Sequence, residues 1–277
     1  MDKSRKFIVG PEIGLDELKV IQMDVLQAID KFCRDNAITY SLACGTMLGA
    51  IRHGGYIPWD DDIDIYLLRT DYERLMAIFP ETYNDYYSIS SLERNAKWDK
   101  PYAKAFDIRT VVIGENKNDV SCGVDIDIFP VDDVPDDEKT WMNYDKKRRK
   151  LYTKYCQIFG RAPLKKEPLC ILRWVRRNYL KWFISRRQIA ERLDRYSKIW
   201  NGRGYSRVFE CCQGALQKRP FKKEIFDKIK DYPFENRSFM GFDNYDEYLR
   251  NGFGDYMTLP PVEKRVSHHR FKAYWKG

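Results

Sequence analysis

Long apolar runs are missing from this chain of 277 residues. No stretch approaches the roughly 18 consecutive apolar residues of a membrane-crossing helix. The opening MDKSRKFIVGPEIGLDELK holds no apolar block of the kind a secretory signal uses. The seven cysteines are odd in number and include no C-x-x-C pair, so neither a zinc site nor a disulfide framework is suggested. A reducing cytoplasm is the compartment expected. No Ser/His/Asp or Cys/His arrangement is evident that would carry a covalent intermediate. Internal repeats and low-complexity linkers are also absent. With 43% hydrophobic and 15% aromatic residues, the composition argues against disorder.

What is present is charge, unevenly placed. Residues 146–207 hold 20 Lys and Arg against Glu167, Glu191 and Asp194, so this segment is +17 and the remainder −9, within a net +8. An acidic body joined to a basic segment points to an anionic surface as partner. On a helical wheel of 169–184, Ile171, Leu172, Trp174, Val175, Tyr179, Trp182 and Phe183 fill one half. Arg173, Arg176, Arg177 and Lys181 fill the other. Such a helix either lies in a membrane interface or packs on its own domain with a solvated basic face.

Periodicity predicts a mixed α+β fold. Leu18, Ile21, Val25, Ile29 and Phe32 recur at helical steps and predict a helix over 15–36. Strands are expected over 38–43 and 62–67, with a short helix over 47–53 between them, ended by Gly54-Gly55. A helix is expected over 70–79, capped by Thr70 with Glu73 completing a capping box. Further strands are expected at 102–108, 110–114 and from 123, the last stopped by Pro130. Residues 141–200 read as helical with breaks between Gly160 and Pro168, and the last 40 residues as short helices and loops. The organisation expected is a core over 1–140, a basic helical region over 141–239, and a segment over 240–277 that returns to the core.

The chemistry concentrates in SLACGTMLGAIRHGGYIPWDDDIDIYL, residues 41–67. In a strand, residues i and i+2 share a face about 6.6 Å apart, so Asp62 and Asp64 project together while Ile63 and Ile65 face the core. VDIDIF repeats the device with Asp125 and Asp127. Same-face carboxylates repel unless a cation sits between them, and Mg²⁺ commonly takes one or two carboxylates plus phosphate oxygens. The plainer alternative is an exposed strand with a polar face. Gly45-Thr46, at a strand end and helix start, offers backbone N–H groups to a phosphate or is simply a turn. Arg52 lies near enough along that helix to reach the same anion, or is a surface or aspartate-paired arginine. His53 orients a carboxylate or is structural.

The stretch YSLACGTMLGAIRHGGYIPWDDDIDI resembles the signature of the LicD family, bacterial phosphocholine transferases with fukutin-type eukaryotic relatives. The match continues in GVDIDIFPVDDVP and NYDEYLRNGFGDYMTLPPVEKR, anchoring about 15–135 and 240–270. The resemblance implies a nucleotidyltransferase-type mixed sheet flanked by helices. It implies transfer of a phospho-alcohol, typically phosphocholine, from a CDP-alcohol donor to a glycan hydroxyl, with release of CMP. The acceptor would be a cell-surface polysaccharide, a teichoic-type polymer or a lipid-linked glycan precursor, reached by a cytoplasmic enzyme peripheral to the inner face of the membrane. CDP-glycerol and CDP-ribitol are alternative donors.

Carried over, Asp62 and Asp64 are the pair that binds Mg²⁺ or Mn²⁺, and Asp127 is the third carboxylate, as ligand or base. Gly45 and Thr46 match the phosphate-side turn. Asp60 and Asp61 are expected behind the pair or in solvent, and Asp125 beside Asp127. Lys104 and Arg109 are candidate diphosphate contacts, and His268 and His269 alternative bases. Trp59 is the candidate aromatic contact for a choline cation, with Trp98 and Tyr102 near it in sequence. Two rivals remain: a template-independent nucleotidyltransferase on RNA, for which the basic and aromatic residues would suit, and a non-catalytic membrane-peripheral binding protein. The long family stretch makes nucleic acid an improbable partner, and the intact Asp62, Asp64 and Asp127 disfavour a binding protein.

Overall fold

A computed structural model describes residues 9–114, 122–159, 184–214, 216–266 and 271–277. The chain begins with β1 (Val9–Ile13) and then α1 (Leu15–Asp35). In α1 the expected stripe of Leu18, Ile21, Val25, Ile29 and Phe32 is buried, which is what holds the helix on the sheet. Asp16 and Glu17 in its first turn and Arg34 in its last complement the helix dipole.

Next come β2 (Ser41–Leu42), α2 (Cys44–His53), β3 (Asp64–Leu68) and α3 (Arg69–Ile78). Strands β4 (Tyr87–Ser90), β5 (Ala103–Asp107), β6 (Thr110–Gly114) and β7 (Asp125–Val134) follow, and then α4 (Glu138–Phe159). The rest comprises α5 (Arg186–Ser197), β8 (Arg207–Glu210), β9 (Phe221–Lys222), β10 (Ile229–Phe234), β11 (Arg237–Phe242), α6 (Tyr245–Phe253) and β12 (Phe271–Lys276). The class is α+β, as periodicity predicted.

The main sheet runs β2-β3-β7-β5-β4, with β8 also beside β7 and β9 beside β8. It is mixed: β3 and β7 are parallel, and the other pairings are antiparallel. A second sheet, β1-β12-β6, ties the first and last described strands to β6. Its inner face joins Ile13, Val112 and Ala273 to Leu18 and Ile21 of α1 in a small core. The hairpin β10–β11 lies against α2 and β2.

Several local expectations are corrected. Strand β2 is only two residues long, and α2 opens at Cys44 rather than Met47. Cys44 adopts φ 47°, which turns the chain sharply from strand into helix. Helix α2 stops at Gly54, whose φ of 70° suits a residue without Cβ. Thr70 does not cap α3. The cap position is Leu68 without a side-chain bond, and the first helical residue, Arg69, is drawn instead into a bidentate pair with buried Asp132.

Pro130 does not end β7. Along one edge of β7 the partner changes from β5, last paired at Ile128, to β8, first paired at Val131. Proline's missing N–H falls in that gap, so no ladder bond is lost. The last 40 residues include β11 and β12, which were not expected. The basic helix expected over 169–184 lies, but for Ile184, outside the described residues, as do His268 and His269.

Candidate active site

Three strands put charge on one face. In the parallel β3–β7 pair, Asp64 stands opposite Asp127, and in the antiparallel β5–β7 pair Lys104 stands opposite the same Asp127. The next position pairs Phe106 with Asp125. Ala103, Ala105, Ile126 and Ile128 alternate with these residues and are buried in the core on the other face. The polar face opens into a cavity of about 710 Å³ lined by Asp61, Asp62, Asp125, Asp127 and Lys104. Lys97, Lys100 and Arg186 add cations, Trp98 and Phe106 aromatic surface, and Leu18, Val112 and Phe271 an apolar end where the second sheet and α1 approach.

The electrostatics of this row are strained in one direction. Asp64 is buried, and burial together with Asp62, Asp127 and Asp60 pushes its carboxyl well above the usual range. Burial also raises Asp127, against the pull of Lys104. Burial disfavours the Lys104 ammonium, but Asp125 and Asp127 outweigh it and hold the group charged. Its Nζ is 2.6 Å from an oxygen of each carboxylate. One ammonium is thus shared between two carboxylates, and with Asp62 and Asp64 close by the row stays in acidic excess.

A cation fits that excess. The donor set is all carboxylate oxygen, the chemistry Mg²⁺ and Mn²⁺ prefer. Among the described residues, no three His, Cys, Asp or Glu side chains are gathered closely enough to cage a metal unaided. An ion that takes one or two carboxylates and completes its shell with water and substrate phosphate needs no such cage.

The other expected residues scatter. Gly45 lies in the first turn of α2, and a Cβ there would meet Asp60 Oδ2 at 2.6 Å, so glycine is required for the Asp60 carboxylate to approach this helix N-terminus. The Thr46 hydroxyl accepts from the backbone N–H of Asp64 at 2.8 Å and fixes the entry to β3. The Cys44 N–H donates to the Tyr248 hydroxyl. Arg52 donates to the Tyr256 carbonyl at 2.6 Å, and Arg109 pairs with Asp107 and stacks on Tyr86; neither lines the cavity. Trp59 packs edge-on to His53 beneath the Arg265 guanidinium and does not line the cavity. Trp98 does line it, with Lys100 4.6 Å from its ring. The Tyr102 ring packs instead on Phe129.

Gln22 was missed. It is buried in α1 and lines the cavity, and its Nε2 donates to the backbone carbonyls of Asp61 at 3.0 Å and Asp125 at 3.2 Å. A signal existed: four residues after Leu18 and three before Val25, a glutamine falls on the apolar stripe.

Comparison with known proteins adds an independent line. The LicD/FKTN/FKRP nucleotidyltransferase domain model matches residues 37–173. The chain is 30% identical over 278 residues to the lipopolysaccharide cholinephosphotransferase LicD of Haemophilus influenzae, covering 95% of this chain and 98% of that protein. An uncharacterized protein of Rickettsia prowazekii is 44% identical over 55 residues, 20% of this chain and 21% of its own length. One from Rickettsia typhi is 46% identical over 46 residues, 17% and 15% respectively.

Proposed function

The chain belongs to the LicD family, and from that premise we propose that it transfers phosphocholine from CDP-choline to a hydroxyl of a cell-surface glycan or its lipid-linked precursor, releasing CMP. The observation that carries the reading is the wall of the cavity formed by Asp62, Asp127 and Lys104, with Asp64 buried behind it opposite Asp127. Near-full-length similarity to a protein named for cholinephosphotransfer to lipopolysaccharide supports choline over glycerol or ribitol.

Asp62 and Asp64 would hold Mg²⁺ or Mn²⁺, with the Asp127 carboxylate, ion-paired to Lys104, beside it as a further ligand or toward the acceptor. When bound, the ion would offset the charge that gathers on the departing CMP phosphate. Lys97, Lys100 and Arg186 would take the remaining phosphate oxygens. The acceptor oxygen attacks the phosphorus that bears choline, the bond from that phosphorus to the CMP oxygen breaks, and the hydroxyl proton passes to the Asp127 carboxylate. Burial raises its affinity for a proton, which favours that transfer. Lys104 holds Asp127 in line from the neighbouring strand.

Location belongs to the same proposal. Among the described residues no helix is long and apolar enough to cross a membrane. The basic stretch 146–207 supports residence against an anionic surface such as the inner face of the membrane.

The test is thermal unfolding with CDP-choline, CDP-glycerol, CDP-ribitol and CTP, each with and without Mg²⁺. A ligand at about 100 times its Kd stabilises by roughly 2.7 kcal/mol. Metal-dependent stabilisation by CDP-choline above the others is expected. A response to CTP alone would overturn the reading in favour of nucleotidyl transfer.

A further inference from the structure

The two acidic segments are far apart in the chain, and one side chain touches the backbone of both. Asp61 precedes β3, and Asp125 opens β7. Gln22 reaches them from α1, and its two amide hydrogens serve the Asp61 and Asp125 carbonyls at 3.0 and 3.2 Å. Its Oε1 lies 3.2 Å from the Tyr56 hydroxyl, which also lies 3.3 Å from the Lys19 carbonyl. The two donated bonds fix the rotation of the carboxamide, and the Tyr56 hydroxyl serves its oxygen. The residue is 4% exposed and lies outside the stretch matched by the family model.

We infer that Gln22 is a positioning residue that sets the separation between the Asp62–Asp64 and Asp125–Asp127 carboxylates. The bonds fall immediately before Asp62 in one segment and two residues before Asp127 in the other. Beyond them, the Asp127 N–H bonds to the Ile63 carbonyl at 2.8 Å, and the Asp64–Asp127 register begins. Gln22 and that backbone bond together clamp the near end of the parallel pair. A hydrocarbon of equal length would fill the space but leave both carbonyls without their donor, and the carboxylates following them would lose a fixed origin. The part of the inference that concerns metal and donor rests on the proposed phospho-alcohol transfer; the clamp itself does not.

The experiment compares the full chain with Gln22→Met, which keeps length and removes the amide, and with Gln22→Glu, which keeps shape and has at most one donor, so it cannot serve both carbonyls. Tyr56→Phe is the control, since it keeps both donated bonds. Hydrogen exchange without ligand is read over 58–66 and 122–129, and rates with CDP-choline are read against Mg²⁺ concentration. Both Gln22 variants should exchange faster in those two segments while the amides of α1 stay at the level of the unsubstituted chain. Half-saturating Mg²⁺ should rise by about 10-fold and kcat fall by about 10–100-fold, with the donor KM within about 3-fold. Tyr56→Phe should change each by less than about 3-fold.

Faster exchange spread through α1 and the sheet in both Gln22 variants, or no local change in either, would overturn the inference. If the unsubstituted chain turns over no CDP-choline but local exchange still rises, the donor assignment fails and the clamp stands.

Discussion

Asp64 faces Asp127 directly across the parallel β3–β7 pair. Neighbouring strands run about 4.8 Å apart, so the fold brings two buried or half-buried carboxylates from different halves of the acidic pattern side by side. Lys104 neutralises one flank of that row, and nothing of opposite sign presses on Asp64 among the groups that shift it most. The protein holds this repulsion in its folded state, the condition expected where a cation or cationic substrate complex is received.

Replacing Asp64 by Asn should separate stability from function. Because burial and neighbouring acids raise the Asp64 carboxyl, its share of stability is present at low pH and is lost as pH rises through the folded-state pKa. In EDTA at pH 8, Asp64→Asn should therefore melt higher than the parent by roughly 2–6 °C, about 1–2 kcal/mol, and the gap should close toward acid pH. Turnover should fall by at least about 10³-fold, and Mg²⁺ should no longer raise Tm. Calorimetry at two pH values, with and without Mg²⁺, checks each part.

Lys104→Met should act in the opposite direction. The Lys104, Asp125 and Asp127 side chains are 15–18% exposed, so removing the ammonium leaves two poorly solvated carboxylates adjacent. The loss expected is about 2–4 kcal/mol at pH 8. Added Mg²⁺ should raise Tm more in this variant than in the parent, because the ion then supplies the missing charge. An equal rise in both would show that the ion does not reach Asp125 and Asp127.

The periodic parts of the fold were legible and the pairings were not. Leu18 to Phe32 announced α1, and the alternation around Asp64 and Asp127 announced two strands with carboxylates on one face. Lys104 looked like a phosphate contact because its partners depend on the register of β5 against β7, which no local pattern encodes. Arg69 carried no sequence signal, because its burial depends on β7 placing Asp132 beside it. Pro130 read as a stop because its tolerance depends on where β5 ends and β8 begins. Gln22 lay on the right stripe, but a lone polar residue there signals only that something polar faces it.

Trp59 was expected as a choline contact from its place before the acidic run, and the structure seats it instead with His53 and Arg265. Trp59→Phe should therefore alter the KM for CDP-choline by less than about 2-fold, whereas Trp98→Ala, within the cavity, should raise it by about 5–30-fold, an aromatic–cation contact being worth about 1–2 kcal/mol. Initial-rate kinetics on the two variants distinguish the sites. A large KM effect confined to Trp59 would move the donor pocket to the α2 side.

Glu210 offers a pH test remote from the carboxylate row. It is fully buried on β8, its Oε1 accepts from the N–H groups of Cys212 and Gln213, and its Oε2 has no hydrogen-bond partner among the described residues. Burial outweighs Arg148 and those two bonds and raises its carboxyl from 4.5 to about 7. Below the unfolded value the group is protonated in both states. Between there and about pH 7 the unfolded chain releases the proton while the folded chain keeps it, so stability falls as pH rises. The full loss is on the order of 3 kcal/mol. Glu210→Gln keeps the Oε1 acceptor and cannot ionise. Its urea midpoint should match the parent near pH 4.5 and exceed it at pH 8 by the equivalent of about 1–3 kcal/mol, the unpartnered amide hydrogens taking back part of the gain. Parallel stability curves for the two proteins would mean that Glu210 keeps an ordinary carboxylate affinity for its proton despite its burial.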